Sequence, residues 1–306
     1  MKKQFMLINL SFLAILFVLM GCGADESEIN HEEEHLEVVV TLSVISDIVE
    51  QVGGDRVEVE YIVPIGEEPE EYEPVPSDFE KVTDANLLFI NGLGIEPWLT
   101  SLMDNATDTP YTELTEGIDP ITLEGDQEVY DPHAWFDPSL VKTYADNALE
   151  HLIELDPEGE SVYRDNAENF HAELDQLDEW IREELESVPE GNRLIATSEN
   201  ALVYFGAAYD FDVAGIWPLN AHEEGTPQQI SDFVDMLTDR DLPYVFVEST
   251  VNPNYMETVS DNAGIPIYDE PLYTDALGDE ASGVTSYIDF MEHNVSVITD
   301  ALGEIE

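Results

Sequence analysis

One long helical pattern near the middle of the chain, over residues 157–188, constrains the fold more than any other feature of the sequence. Apolar side chains recur there at alternating steps of three and four, which places them on one face of an α-helix: Tyr163, Ala167, Phe170, Leu174, Leu177, Ile181 and Leu185. Asp156 suits an N-cap, Pro157 suits the first helical position, and Pro189 ends the pattern. At about 1.5 Å per residue the helix would be roughly 45 Å long, enough to connect two lobes. The alternative is an ordinary long amphipathic helix within one large domain.

Strand-like and helix-like segments alternate on both sides of this helix. Short apolar runs predict strands before it and after it, at residues 38–42, 56–63, 87–90, 193–197, 213–216, 243–247 and 265–268. Helix caps are predicted at Ser77-Asp78 and Thr226-Pro227, and a final helix at residues 287–302. Strands separated by helical crossovers pair in parallel. We therefore predict an α/β fold with two lobes, each a mostly parallel sheet with helices on both faces, joined by one long rigid spine helix. The lobes would span residues 38–156 and 189–306.

The charge of the chain is strongly one-sided. Among 306 residues there are 69 Asp and Glu but only 9 Lys and Arg, a formal net charge of −60, while the 43% hydrophobic content is that of a globular protein. Such a chain repels the phosphate backbone, so we expect no nucleic-acid partner. It also repels itself, over a screening length of about 10 Å at 0.1 M salt and about 3 Å at 1 M. The composition predicts a salt-rich or alkaline habitat.

The first residues have the pattern of an export signal. Two lysines and the apolar run 5–20, which is short for a membrane span, precede Gly21 and Cys22. The sequence Leu-Met-Gly-Cys resembles a bacterial lipobox, which implies removal of residues 1–21 and attachment of lipid to Cys22. Since this is the only cysteine, the chain forms no internal disulfide. Residues 22–37 are acidic and fit a solvated tether, so we expect an extracytoplasmic protein anchored by lipid to the outer face of the cell membrane.

Several residues that bind metals in other proteins follow the ends of predicted strands. The loop at residues 64–74 contains three prolines and five carboxylates, and His133 lies in a short segment between two Asp-Pro turns. Glu199 and Asp275 follow strands of the second half. In open α/β sheets ligands bind beyond the carboxyl ends of the strands, which suggests a cation site. Taken singly, each residue has a simpler interpretation as an exposed acidic loop, a hydrogen-bonded histidine, an N-cap or a turn aspartate.

A set of short motifs carries a resemblance to a known family. They are Val52-Gly53-Gly54-Asp55-Arg56-Val57, Tyr72-Glu73-Pro74 with Pro76-Ser77-Asp78, Asn91-Gly92-Leu93, Asp131-Pro132-His133-Ala134-Trp135, Phe246-Val247-Glu248-Ser249 and Leu272-Tyr273-Thr274-Asp275. Together they resemble the metal-binding lipoproteins of bacterial ABC importers for manganese, zinc or iron, the cluster A-I solute-binding proteins. The resemblance covers nearly all of the chain from residue 38 onward. It implies two α/β lobes on a spine helix, with a four-ligand metal site in the cleft between them.

The resemblance also implies which residues bind the metal. His133 matches the second ligand of the family, Glu199 the third and Asp275 the fourth. The first ligand departs from the pattern, because Glu70 follows Pro69 where relatives have a histidine. The predicted site is therefore one imidazole and three carboxylates, and Glu71, Glu73 or a water molecule remain alternatives at the first position.

The donor set favours Mn²⁺, with Zn²⁺ and Fe²⁺ as alternatives. Carboxylate oxygens suit manganese and other hard cations, whereas imidazole and thiolate favour zinc and copper. Glutamate at the third position and the stretch 220–230 both resemble manganese-type relatives, and a histidine-rich loop in the first lobe, common in zinc-type relatives, is missing. Repulsion among three carboxylates raises at least one pKa, so metal uptake should fail in acid.

The function implied is capture of a metal ion outside the cell and its delivery to a permease with its ATPase, by a monomer that is not an enzyme. A secreted metallohydrolase is the main competing hypothesis, since a metal held by His and carboxylates can activate water. Against it, the sequence has neither a His-Glu-x-x-His helix nor a nucleophile elbow. A surface adhesin with the same fold is a further alternative that the sequence leaves open.

Overall fold

The computed structural model describes residues 35–104, 109–123, 129–218, 225–238 and 240–303. The predicted signal peptide, Cys22, residues 22–34 of the predicted tether and residues 220–224 of the stretch 220–230 lie outside these residues. The strands are β1 (Leu36–Val40), β2 (Val57–Tyr61), β3 (Leu87–Ile90), β4 (Tyr111–Glu113), β5 (Leu194–Glu199) and β6 (Asp212–Trp217). The α-helices are α1 (Ser43–Gly53), α2 (Pro76–Asp84), α3 (Leu99–Met103), α4 (Pro138–Leu155), α5 (Glu160–Leu185), α6 (Val203–Tyr209), α7 (Pro227–Thr238), α8 (Asn254–Ala263) and α9 (Tyr287–Leu302).

The first half of the chain forms a four-stranded parallel sheet in the order β2-β1-β3-β4. The central strands are the most apolar: all four residues of β3 are buried, as are the last three of β1. Helices α1 and α2 both contact β1. The predicted parallel sheet is confirmed, with β4 as an additional edge strand that the sequence analysis did not identify. Its three residues alternate exposed, intermediate and exposed, so they carry no apolar pattern.

The second half has a smaller sheet, in which β5 and β6 pair in parallel. The predicted strands at residues 243–247 and 265–268 form only one isolated bridge, Val245 with Ile267, and a second bridge joins Glu248 to Leu272 beyond their ends. The bridge segments still belong to this layer, since the N–H of Phe246 donates to the carbonyl of Ala196 in β5 at 2.9 Å. Proline contributes to the interruption, because residue 266 lacks the N–H that would extend the ladder before the bridge of Val245 with Ile267.

The predicted spine is present with shorter bounds. Residues Pro157–Gly159 form a 3₁₀ turn and Glu160–Leu185 the α-helix, so 26 residues span about 39 Å. Every apolar residue of the predicted stripe is buried. Asp156 accepts the N–H of Gly159 and pairs with Arg56 at 2.6 Å, which fixes the start of the helix. The helix, called the spine helix below, packs against α1 and α4 from before it and α9 from after it.

Two smaller predictions had mixed outcomes. The cap predicted at Ser77-Asp78 is wrong in position, since α2 begins at Pro76 with Val75 as N-cap, and Asp78 accepts the N–H of Val75 at 2.8 Å. The final helix begins and ends as predicted, with Ser286 as its N-cap. In the part of the chain that the structure describes, no helix has the length and apolar content that crossing a bilayer requires.

Candidate metal centre

The structure brings the four predicted ligand residues together in one cluster. Glu70, His133 and Glu199 each offer one ligand atom, and these atoms lie within 4.8 Å of one another. The Nε2 atom of His133 lies 3.3 Å from Oδ1 of Asp275 and 3.8 Å from Oε1 of Glu199. The side chains of His133, Glu199 and Asp275 are buried, as are both carboxylate oxygens of Glu70. One imidazole and three carboxylates therefore meet in a single buried cluster.

Glu70 is held in the cluster by the loop that follows β2. The indole Nε1 of Trp98 donates to the carbonyl of Pro69 at 2.7 Å, directly before Glu70. The Tyr72 ring packs edge-on against Trp98, and its hydroxyl donates to Asp78 at 2.7 Å. Glu71 and Glu73 are exposed and line an open cavity of about 620 Å³. Of the three candidates for the first position, only Glu70 reaches the other residues in this structure.

His133 is oriented by the segment around it. One oxygen of buried Asp131 contacts Nδ1 of His133 at 3.0 Å and also accepts the N–H of His133 at 2.9 Å. The Asn91 side chain donates to the carbonyl of Pro132 at 3.0 Å, and the Trp135 ring packs edge-on against the imidazole. With Nδ1 bound to a carboxylate, Nε2 is the nitrogen that faces the cluster, which is the usual arrangement behind a metal-binding histidine.

Glu199 is the last residue of β5 rather than a residue beyond the strand, as the sequence analysis placed it. Its backbone N–H donates to Oε1 of Glu248 at 2.7 Å. Glu248 is itself buried, and burial raises its pKa to about 7. The segment that contains Glu248 therefore fixes the end of the strand that carries Glu199.

Asp275 is fixed by hydrogen bonds to its side chain and to the residues before it. Its Oδ2 accepts from the hydroxyls of Thr274 at 2.7 Å and Thr250 at 3.1 Å. Asn294 of α9 both accepts the N–H of Tyr273 and donates to the Tyr273 carbonyl. The Trp135 indole donates to the carbonyl of Thr274 at 3.0 Å, which ties this segment to the one that carries His133.

The charges of the cluster favour the binding of a cation or a proton. Burial raises the pKa of Glu70 well above its ordinary value, and the negative charge of Asp275 raises it further. Burial opposes protonation of His133, but Asp131, Asp275 and Glu199 outweigh it and raise its pKa well above the ordinary value. Among the described residues, both oxygens of Glu70, Nε2 of His133 and Oδ1 of Asp275 have no hydrogen-bond partner. Buried polar atoms in this state need a proton or a cation, so the residues present fit a divalent metal ion.

The sequence analysis missed the residues that hold these side chains in place. Asp131 and Glu248 occur in the motifs that carry the family resemblance, but no role was predicted for either. A carboxylate two residues before His133 was the available signal for Asp131. Glu248 follows an apolar run, and Thr250 lies 25 residues from the aspartate that it contacts, so no local pattern indicates either role.

Comparisons with known proteins show which family the chain resembles over most of its length. The family described as ZnuA, zinc-uptake complex component A, periplasmic, matches residues 38–301. The chain is 47% identical over 292 residues, 95% of this chain and 97% of the relative, to the manganese-binding lipoprotein MntA of Halalkalibacterium halodurans. It is 37% identical over 313 residues, 99% of this chain and 100% of the relative, to the iron ABC transporter substrate-binding lipoprotein MtsA of Streptococcus pyogenes serotype M1.

The same fold occurs among solved structures. The periplasmic zinc-binding protein TroA from Treponema pallidum superposes with a TM-score of 0.83 at 25% identity, covering 88% of this chain and all of the other. The predicted two-lobe α/β fold is thereby confirmed. The names of these three proteins mention manganese, iron and zinc in turn. The preferred metal of this chain therefore depends on its own ligand residues.

Proposed function

This chain belongs to the ZnuA family of zinc-uptake complex components, and from that membership we propose that it captures Mn²⁺ outside the cell and delivers it to the permease and ATPase of an ABC importer. The family role is transport of a metal ion and not catalysis, so the ion is cargo. One observation carries the proposal: a buried cluster of one imidazole and three carboxylates whose inward-facing atoms include several without a hydrogen-bond partner among the described residues.

The metal ligands are Glu70, His133, Glu199 and Asp275. The donor chemistry supports manganese, because three carboxylates with a single nitrogen suit a harder cation than the imidazole-rich or thiolate sites that favour zinc. The relative from Halalkalibacterium halodurans, whose name specifies manganese, supports the same choice. Zinc and iron are the competing cargoes, and the metal titrations below distinguish them.

The two lobes, residues 38–156 and 189–306, flank the ligand cluster, and the spine helix spans the boundary between them. The protein acts as a monomer and is held at the outer face of the cell membrane by lipid on Cys22. The names of several relatives, which include the word lipoprotein, support this anchor. The mature chain begins at Cys22, so Cys22→Ser should appear in the medium or remain unprocessed. Mass spectrometry of the membrane fraction tests the anchor, and an unmodified Cys22 there would contradict it.

Metal binding is tested by calorimetric titration of the mature protein, after removal of bound metal, with Mn²⁺, Zn²⁺ and Fe²⁺. We expect tight 1:1 binding of Mn²⁺ and its loss in His133→Ala. The matched control is His171→Ala, since His171 lies on the spine helix and its Nε2 contacts Oδ1 of Asp146 at 3.3 Å instead of a residue of the cluster. If His133→Ala bound Mn²⁺ like the parent, this site would be wrong. Uptake of Mn²⁺ by cells that express the parent or His133→Ala then tests delivery.

A further inference from the structure

A site with three carboxylates must distinguish Mn²⁺ from other divalent cations. Carboxylate oxygens that suit Mn²⁺ also suit Ca²⁺ and Mg²⁺, the abundant divalent cations outside cells. Ca²⁺ takes six to eight oxygen ligands and commonly binds both oxygens of a carboxylate. The number of oxygens that each side chain can offer is therefore a means of discrimination, and it depends on what the other oxygen of each carboxylate contacts.

Asp275 has one oxygen engaged and one available. Oδ2 accepts from two hydroxyls, Thr274 at 2.7 Å and Thr250 at 3.1 Å. Oδ1 has no hydrogen-bond partner among the described residues and lies 3.3 Å from Nε2 of His133. Asp275 and Thr274 are buried, and Thr250 is half-buried and lines the open cavity next to Glu71 and Glu73.

The two hydroxyls come from different segments, which makes the orientation of the carboxylate hard to change. Thr274 precedes Asp275, and its carbonyl accepts from the Trp135 indole. Thr250 follows the bridge segment, in which the N–H of Ser249 donates to Leu272 at 2.8 Å. Rotating Asp275 so that both oxygens face a metal would break bonds to both hydroxyls and leave a buried Thr274 hydroxyl unsatisfied.

We propose that Thr250 and Thr274 are specificity-determining residues that restrict Asp275 to one metal-binding oxygen and thereby exclude Ca²⁺ from the site. The inference rests on the proposed function, because it assumes that the cluster binds a transition metal. His133 adds no oxygen to the set, since it presents the nitrogen Nε2 to the cluster while Asp131 contacts Nδ1. With Asp275 limited to one oxygen instead of two, the cluster offers fewer protein oxygens to an ion that takes six to eight of them.

The test compares Thr250→Val, Thr274→Val and the double variant with the parent and with Thr250→Ser and Thr274→Ser. Valine keeps the shape of threonine and removes the hydroxyl, whereas serine keeps the hydroxyl. Titrations of the metal-free protein with Mn²⁺ and Ca²⁺ give two dissociation constants, and their ratio measures discrimination. We expect the Ca²⁺ dissociation constant divided by the Mn²⁺ dissociation constant to fall by about 10-fold or more in the double valine variant, the size of effect typical of residues behind a metal ligand. The serine variants should recover the ratio of the parent.

Further measurements separate specificity from folding. X-ray absorption of the Mn²⁺ complexes should show an additional oxygen neighbour in the valine variants. Thermal melting without metal reports whether each variant folds, and Thr258→Val in α8, whose hydroxyl donates to its own helix, is the matched control. If Thr274→Val does not fold, Thr250→Val, at a half-buried position, still decides the question.

The possible results bear separately on the two proposals. A parent that does not bind Mn²⁺ refutes the proposed function, and this inference with it. A parent that binds Mn²⁺ while the valine variants keep the same ratio of dissociation constants refutes this inference alone. Equal weakening of both metals without recovery in the serine variants shows a merely structural role and also overturns it.

Discussion

At the scale of single residues, Glu70 is the position where one substitution should change the preferred metal. Glu70→His supplies a second nitrogen and leaves two carboxylates, and zinc binds more tightly than manganese once nitrogen ligands are present. We expect the ratio of Zn²⁺ to Mn²⁺ affinity to rise by at least about 10-fold, the scale on which a changed ligand environment acts. Competition titrations with both metals measure this ratio directly.

Alanine variants of the acidic loop, residues 64–74, test which of its carboxylates is the first metal ligand. Glu70→Ala should weaken Mn²⁺ binding, as should Glu199→Ala and Asp275→Ala, whereas exposed Glu67→Ala should have little effect. Should Glu71→Ala or Glu73→Ala weaken binding while Glu70→Ala does not, a different carboxylate of the loop is the ligand. Should none of the three matter, the protein supplies only three ligands.

A second residue-scale prediction concerns pH and stability, at a buried carboxylate that is not one of the proposed metal ligands. Glu96 is buried, and burial raises its pKa from about 4.5 to about 7, despite hydrogen bonds from Thr41 and from the N–H groups of Asn91 and Gly92. Because its pKa is higher in the folded than in the unfolded protein, the folded state binds the proton more tightly. The stability contributed by this proton is fully present below about pH 4.5 and is lost as the pH rises toward 7.

Glu96→Gln removes this titration. The difference in free energy of unfolding, variant minus parent, should become more positive by up to about 3 kcal/mol as the pH rises from 4.5 to 7, because only the parent loses the stabilising proton. Denaturant unfolding of both proteins at constant ionic strength measures the difference, with Glu58→Gln, at an exposed position of β2, as the control. A difference that stays constant across this pH range would show that the native state does not hold the proton.

At the same scale, the sequence predicts the side chains that carry chemistry better than the contacts that orient them. His133 and Asp275 lie in motifs with strong family character, and the structure brings both into the cluster. Thr250 acts through an oxygen of a residue 25 positions away, and Asn294, in α9, acts through the backbone of Tyr273, which lies outside any helix. Such contacts depend on tertiary packing, so a local pattern does not contain them.

At the scale of elements, the spine helix should be the most sensitive to loss of apolar volume. Leu174 is fully buried in the middle of the helix, so Leu174→Ala leaves a cavity at the buried face of the helix. We expect a loss of about 2–5 kcal/mol in the free energy of unfolding. Val162→Ala on the same helix, at a position 41% exposed, should change it by less than about 0.5 kcal/mol. Equal effects of the two substitutions would contradict the packing described here.

Helices were more predictable than strands for a physical reason. The spine helix and α9 each have an apolar stripe of 3.6-residue period and end signals within their own sequence, so their bounds were close to the structure. The segments at residues 243–247 and 265–268 are apolar like strands, but whether they form a continuous ladder depends on the N–H groups of the partner. Proline at residue 266 removes one of them, an effect visible only once the pairing is known.

At the scale of the whole molecule, the net charge of −60 is compensated at few places. In the described part of the chain, Lys or Arg side chains pair with carboxylates in Arg56–Asp156, Lys81–Glu60, Lys142–Asp175, Arg164–Glu160, Arg182–Asp178 and Arg240–Asp212. Most of these pairs are at the surface, where each contributes little. The remaining carboxylates repel one another, and that repulsion opposes the compact state.

Salt should therefore stabilise the fold over a wide range. Raising NaCl from 0.05 M to 3 M shortens the screening length from above 10 Å to below about 3 Å, so the melting temperature should rise throughout. The variant Glu168→Gln/Glu179→Gln/Glu183→Gln separates screening from general salting-out, because it removes three exposed charges from the spine helix without touching its buried face. It should melt higher than the parent at 0.05 M NaCl and equally at 3 M. A parent whose melting temperature stays flat or falls with salt would exclude adaptation to a salt-rich habitat, and a variant with the same advantage at both concentrations would show that screening is not the cause.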